Sequence, residues 1–229
     1  MGGDVRVQIY TVQSAAEALA VSGLGVDHIG VTPSHRGLPG EIEEALAAEI
    51  CEVLRGVAVS VALSVEPDLE TIERMVRVVR PDILHLCGPS NLVDPGAVGD
   101  LRRRLPADVA IMQAIAVTSR RAIESARRYE PVADYLILDS VDPGIAGIGA
   151  SGLVHDWEVS AAIVEEVDVP VILAGGLSPD NVADAIAAVN PWGVDSLTYT
   201  NAPAADGGFR KDLTAVRRFV EAARFEDAS

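Results

Sequence analysis

Tyr135-Leu136-Ile137-Leu138-Asp139-Ser140 sets an apolar run against a carboxylate, and a glycine-spaced stretch follows through Gly144, Gly147, Gly149 and Gly152. A run of this kind reads as a strand buried on both faces, with its terminal carboxylate beside a loop whose backbone can approach a phosphate. The run Val169-Pro170-Val171-Ile172-Leu173-Ala174 repeats the device. It ends in Gly175-Gly176, and Ser178-Pro179-Asp180 then reads as a helix start. Two successive strand ends are thereby expected to face one anion.

Outward from these two units the same alternation fills the chain. Short β-branched runs place strands near Arg6–Tyr10, Asp27–Thr32, Val57–Leu63, Asp82–Leu86, Val109–Ala114, Asp134–Asp139, Val169–Ala174 and Gly193–Thr198. Helical spacing follows each, near Ser14–Ser22, Glu41–Leu54, Asp68–Val79, Pro95–Arg104, Ser119–Tyr129, Asp156–Val167, Pro179–Val189 and Leu213–Ala223. Strand–helix alternation without low-complexity linkers predicts an α/β fold in which residues 1–229 form a single (β/α)8 TIM barrel, its active site at the C-terminal ends of the strands. An open doubly wound sheet is the alternative.

The chain has 229 residues, 49% of them hydrophobic, enough for a full core. Its N-terminus carries Asp4 and Arg6 and no apolar signal core, and its apolar runs are far shorter than the roughly 20 residues that span a bilayer. A cytoplasmic protein with no membrane partner is expected. The net charge of −16 repels phosphodiester backbones, so no nucleic-acid partner is expected either. Cys51 and Cys87 form neither a disulfide framework nor a metal-ligand pattern, and no metal or organic cofactor is implied. Cys51, on the helical face Ile50-Cys51-Val53-Leu54, reads as core. Arg102-Arg103-Arg104 reads as a solvated helix end favoured by the dipole. The single lysine, Lys211, falls in the polar segment Phe209-Arg210-Lys211-Asp212, which argues against the desolvated lysine of Schiff-base chemistry.

Several segments carry a resemblance. They are Val7-Gln8-Ile9, Asp27-His28-Ile29-Gly30-Val31, Asp82-Ile83-Leu84-His85-Leu86-Cys87-Gly88, Gly149-Ala150-Ser151-Gly152, His155-Asp156-Trp157, Trp192-Gly193-Val194-Asp195 and, most specific, Leu173-Ala174-Gly175-Gly176-Leu177-Ser178-Pro179-Asp180-Asn181-Val182. In order and spacing the chain resembles the phosphoribosylanthranilate isomerase family over nearly its whole length. The resemblance implies an Amadori rearrangement in tryptophan biosynthesis, in which a phosphorylated aminoaldose opens its ring and becomes an aminoketose as a proton leaves C2. The family's general acid falls on Asp139, and a carboxyl at the rim of an apolar barrel has its pKa raised by desolvation, as an acid catalyst needs. Backbone N–H groups that bind the family's phosphate carry over to Gly149, Gly152, Gly175 and Gly176. After the last strand the family's Ser-Ser-Gly-Val-Glu is replaced by Leu197-Thr198-Tyr199-Thr200-Asn201, which leaves Thr198 in a phosphate-loop position. Arg36 approximately matches the arginine that meets the anthranilate carboxylate.

The family's strand-1 cysteine base is Tyr10 here, and a phenol with a pKa near 10 is a poor base at neutral pH. A substitute stands on strand 4, where His85 and Cys87, two residues apart, share a face. A neighbouring imidazole can favour a thiolate, so either can take a proton. Three readings remain open: an isomerase of this family with Asp139 as acid and a relocated or Tyr10 base, a paralogue acting on another sugar phosphate, and a non-catalytic protein that keeps a phosphate ligand. In each the partner is a small phosphorylated sugar, and the protein is a monomer or homodimer.

Overall fold

The computed structural model describes residues 5–88, 93–141, 148–149, 154–205 and 207–224. Eight parallel strands close into a barrel in chain order, with a helix after each: β1 Arg6–Ile9, α1 Ala15–Ser22, β2 His28–Val31, α2 Glu44–Leu54, β3 Val59–Ser64, α3 Leu69–Val79, β4 Ile83–Leu86, α4 Pro95–Arg104, β5 Ala110–Ala116, α5 Arg121–Tyr129, β6 Tyr135–Asp139, α6 Trp157–Glu166, β7 Val171–Leu173, α7 Val182–Val189, β8 Gly193–Ser196 and α8 Leu213–Ala223. The closed barrel settles the topology against an open sheet. Among the described residues, no helix is long and apolar enough to cross a membrane.

Helix faces and strand exteriors build the outer core. On α3 the buried residues Ile72, Met75, Val76 and Val79 recur at helical spacing and pack inward, with Asp68 capping the first turn by accepting the Thr71 N–H at 2.8 Å. Cys51 is buried on α2, and Arg102, Arg103 and Arg104 form the last turn of α4. A second, inner cluster fills the barrel axis with Val61, Ile83, Met112, Ile137 and Ile172. Below it the rings of His28, Tyr135 and Trp192 close the floor, with centroids 5.4 to 6.1 Å apart.

Three strand-leading aspartates tie this N-terminal face. Asp27 accepts the Val7 N–H at 2.9 Å, Asp82 the Ser60 N–H at 2.8 Å and Asp134 the Ile111 N–H at 2.7 Å. The residue before β2, β4 and β6 thus fixes the start of β1, β3 and β5. The sequence expectation counts these aspartates as strand residues; each precedes its strand.

Two local differences concern the mouth. Helix α7 begins at Val182 rather than Pro179, because Ser178 to Asn181 form a turn in which Asn181 accepts the Ser178 N–H at 2.8 Å. After β8 the chain makes a 3-10 turn, Thr198–Thr200, and an antiparallel hairpin of β9 Asn201–Pro203 and β10 Phe209–Lys211 that the sequence periodicity does not predict.

Candidate active site

The C-terminal ends of the strands surround a cavity of about 750 Å3, its open mouth included. Tyr10, His85, Cys87, Asp139, Gly149, Gly175, Gly176 and Thr198 all line it, so residues far apart in sequence meet at one cavity. Gly152, like Gly144 and Gly147, lies outside the described residues.

Asp139 ends β6 and keeps partial access to solvent at the mouth. Burial pushes its carboxyl up to about 7, against the Ser140 N–H that donates to Oδ1 at 2.7 Å. Gly149 is pressed against it. A Cβ there would come within 2.5 Å of Asp139 Oδ2, at a φ of +107° that side chains rarely adopt. The Gly149 N–H donates to Ser140 O at 2.9 Å, so this amide braces the loop after Asp139 and is not free to meet a ligand.

In the same cavity, Tyr10, His85 and Cys87 form one hydrogen-bonded chain. The Tyr10 hydroxyl lies 2.8 Å from His85 Nδ1, and Cys87 Sγ lies 2.9 Å from Nε2. Burial lowers His85 to about 3, which keeps the imidazole neutral. Burial raises Tyr10 well above its ordinary value, helped by Cys87 and Asp195, and raises Cys87, helped by Asp139 and Asp195. The three form a neutral wall at neutral pH. Its room comes from β2, where a Cβ on Gly30 would sit 2.2 Å from the Tyr10 ring.

One cavity residue has no role in the sequence reading. Asp195 on β8 is 7% exposed, and burial raises it to about 8, with Asp139 adding to the rise while the Gln8 amide and Lys211 oppose it. Gln8 pairs with Asp195 in the β1–β8 ladder, and its Nε2 donates to Asp195 Oδ1 at 3.1 Å. Gln8 Oε1 in turn lies 3.3 Å from His28 Nδ1, which therefore carries the proton. The signal is present in Gly193-Val194-Asp195, a carboxylate inside a buried strand as at Asp139.

At the rim of β7, Gly175 and Gly176 have φ of +80° and +66°, and no acceptor among the described residues takes either amide. They are placed to receive an anion. Arg36 does not reach the cavity. It is half-exposed and paired with Glu66, with Nε donating to Oε1 at 2.8 Å and a second contact from Nη2 to Oε2.

Lys211 corrects a sequence expectation. Alternation along β10 turns it inward to 4% exposure, where Nζ donates to the Tyr10 carbonyl and to Asn201 Oδ1 at 2.6 Å. Burial lowers it to about 7, although Asp195 and Glu17 favour its charge. It sits behind β1 rather than in the cavity wall. His155 directly precedes the α6 cap Asp156, as a packed helix start does, and its Nε2 lies 2.8 Å from Ser160 Oγ.

A closed parallel barrel with buried carboxyls gathered at the carboxyl ends of its strands defines a (β/α)8-barrel enzyme. The family model for N-(5'phosphoribosyl)anthranilate (PRA) isomerase matches residues 8–222, and the chain belongs to that family. It is 36% identical over 219 residues to the N-(5'-phosphoribosyl)anthranilate isomerase of Methanocella arvoryzae, covering 96% of this chain and 98% of that one. The corresponding protein of Haloferax volcanii is 33% identical over 220 residues, covering 96% and 93%. Among solved structures, phosphoribosyl anthranilate isomerase from Thermococcus kodakaraensis superposes with a TM-score of 0.76 at 26% identity, over 97% of this chain and 100% of that one.

Proposed function

We propose that this chain is a cytoplasmic phosphoribosylanthranilate isomerase, converting the aminoaldose to the aminoketose in tryptophan biosynthesis. The observation that carries the reading is Asp139, a carboxyl held protonated to about pH 7 at the mouth of a cavity where the next strand, β7, offers the Gly175 and Gly176 amides. A group of that pKa can give a proton at neutral pH and take it back. With the substrate phosphate on the two amides and Thr198, the furanose ring lies over the cavity and Asp139 protonates the ring oxygen. As the C1–O bond breaks, the nitrogen lone pair forms a C1=N iminium. Loss of the C2 proton then gives an enaminol. Protonation of C1 with loss of the C2 hydroxyl proton gives the ketose.

The Tyr10–His85–Cys87 chain forms a neutral wall of the same cavity and holds the reacting carbons in place. The aryl carboxylate is left to Arg36, which must exchange Glu66 for it. The test is the loss of phosphoribosylanthranilate fluorescence on adding the protein to substrate generated in situ, with Asp139→Asn as control. Turnover that falls by about 10²-fold or more in the variant supports the reading. A folded wild-type protein without turnover overturns it.

A further inference from the structure

The isomerisation needs a group that takes the C2 proton, and the geometry limits where it can come from. Both nitrogens of His85 are engaged, Nδ1 by Tyr10 and Nε2 by Cys87, so neither presents a free lone pair to the cavity. Tyr10 and Cys87 are neutral, each spending its polar atom on the same imidazole. Asp195 is different. It lines the same cavity as Asp139, Oδ1 is held by Gln8, and no donor among the described residues meets Oδ2. A carboxylate with one oxygen fixed by a neutral amide and the other unmet is oriented to accept a proton from a ligand.

We propose that Asp195 is the general base of this isomerase, taking the C2 proton while Asp139 serves the ring oxygen. The inference rests on the isomerase reading and deepens it. In the step, the C2–H bond breaks, the proton goes to Asp195 Oδ2, its electron pair forms C1=C2 and the iminium π pair returns to nitrogen. Protonation of C1 by Asp195 and return of the C2 hydroxyl proton to Asp139 restore both carboxyls.

The two groups suit one another electrostatically. Asp139 raises Asp195, so the two carboxyls titrate as a pair, and the working form is the singly protonated one in which Asp139 keeps the proton and Asp195, held by Gln8 and beside Lys211, has lost it. The groups that face Asp195 are Asp139 from β6, the neutral Gln8 from β1 and Tyr10 just after it, Cys87 just after β4, and Lys211 from β10, the last the cation that favours its ionised form.

The experiment compares wild type, Asp195→Asn and Cys87→Ser in the fluorescence assay, with kcat/KM followed against pH. Asp195→Asn is expected to lower kcat by about 10² to 10⁴-fold, the usual worth of a positioned base. It also abolishes the acidic limb of the pH profile, while still binding reduced 1-(o-carboxyphenylamino)-1-deoxyribulose 5-phosphate. Cys87→Ser, which keeps a hydroxyl for the His85 contact, loses a wall group but no base, and is expected to cost at least about tenfold less than Asp195→Asn. An Asp195→Asn enzyme within tenfold of wild type, or an equal loss in Cys87→Ser, overturns the assignment and leaves the isomerase reading standing. A wild type without turnover removes both. If Asp195→Asn no longer binds the reduced analogue, Asp195→Ala with added formate decides. Recovered turnover supports a proton-accepting carboxylate, and no recovery overturns it.

Discussion

The acid role proposed for Asp139 needs its carboxyl fixed as well as perturbed, and Gly149 is pressed against it. With Oδ2 2.5 Å from where a Cβ would stand, Gly149→Ala must either shift the acid or break the amide bond to Ser140. Displacing a catalytic group by about 1 Å can cost on the order of 10²-fold in rate. We therefore expect Gly149→Ala to lower kcat by about tenfold or more with KM little changed, and steady-state kinetics at fixed pH measure it. An unaltered kcat means the acid is not held by this contact. Asp139 is legible in the sequence because a carboxylate that ends an apolar run is conspicuous. Asp195 is equally plain as a residue but has no evident task there, since only the barrel's closure brings β8 beside β1 and faces it toward Asp139. Lys211 misleads because its neighbours Arg210 and Asp212 are polar; a period-two strand exposes the former while burying the lysine between them.

At the scale of elements, the strands are held at one end and functional at the other. Asp82 accepts both the Ser60 N–H and the Ser60 hydroxyl, at 2.8 and 2.7 Å, and so joins the starts of β3 and β4 far from the cavity. Asp82→Ala leaves a partly buried amide unmet, which costs about 1–3 kcal/mol. The expected result is a lower denaturant midpoint with kcat unchanged; a stability equal to wild type would show the clamp to be dispensable. The β2–α2 loop is shaped by Glu41, whose Oε2 accepts the N–H groups of Arg36, Gly37 and Leu38 at 2.9 to 3.0 Å. This turns Leu38 into the cavity wall and sends Arg36 outward to Glu66. If Arg36 must leave Glu66 to bind the aryl carboxylate, Glu66→Gln removes the competitor and KM should fall by up to about fivefold, in keeping with a surface pair worth up to about 1 kcal/mol. A KM that stays put or rises rejects that exchange. All eight strands and helices of the barrel are legible as periodicity. The β9–β10 hairpin is not, because its strands are three residues each, too short for a pattern, and the Arg36 pairing is not, because Glu66 lies 30 residues away.

For the molecule as a whole, the site is a burden on stability whose sign can be worked out. The exposed ion pairs of the surface add little, so the fold rests on its two apolar shells, and the buried titratable groups at the mouth oppose it. A carboxyl in the unfolded chain titrates near 4, whereas Asp139 and Asp195 titrate at about 7 and 8 in the fold. Between pH 4 and 8 the folded state therefore holds more protons than the unfolded one, and stability falls as pH rises. Lys211 acts in the other direction over a higher window. At about 7 in the fold against an unfolded value near 10.4, it makes stability rise from pH 7 to 10 as its own burial cost is relieved. Replacing Asp195 with asparagine removes one falling contribution and keeps the shape. The Asp195→Asn protein is thus expected to melt close to wild type at pH 4 and progressively above it toward pH 8.5. The gap should reach several degrees, since a carboxyl that titrates one pH unit higher in the fold than in the unfolded chain costs about 1.4 kcal/mol once ionised, before the coupling to Asp139 is discounted. Thermal melts at half-unit pH steps measure the gap. A gap that is constant with pH would mean Asp195 is ionised in the folded state from the acid range upward, and the carboxyl pair would then lose its shared proton. A gap that grows, together with the kinetic loss in the same variant, would tie the destabilising burial of this carboxylate to the proton transfer it performs.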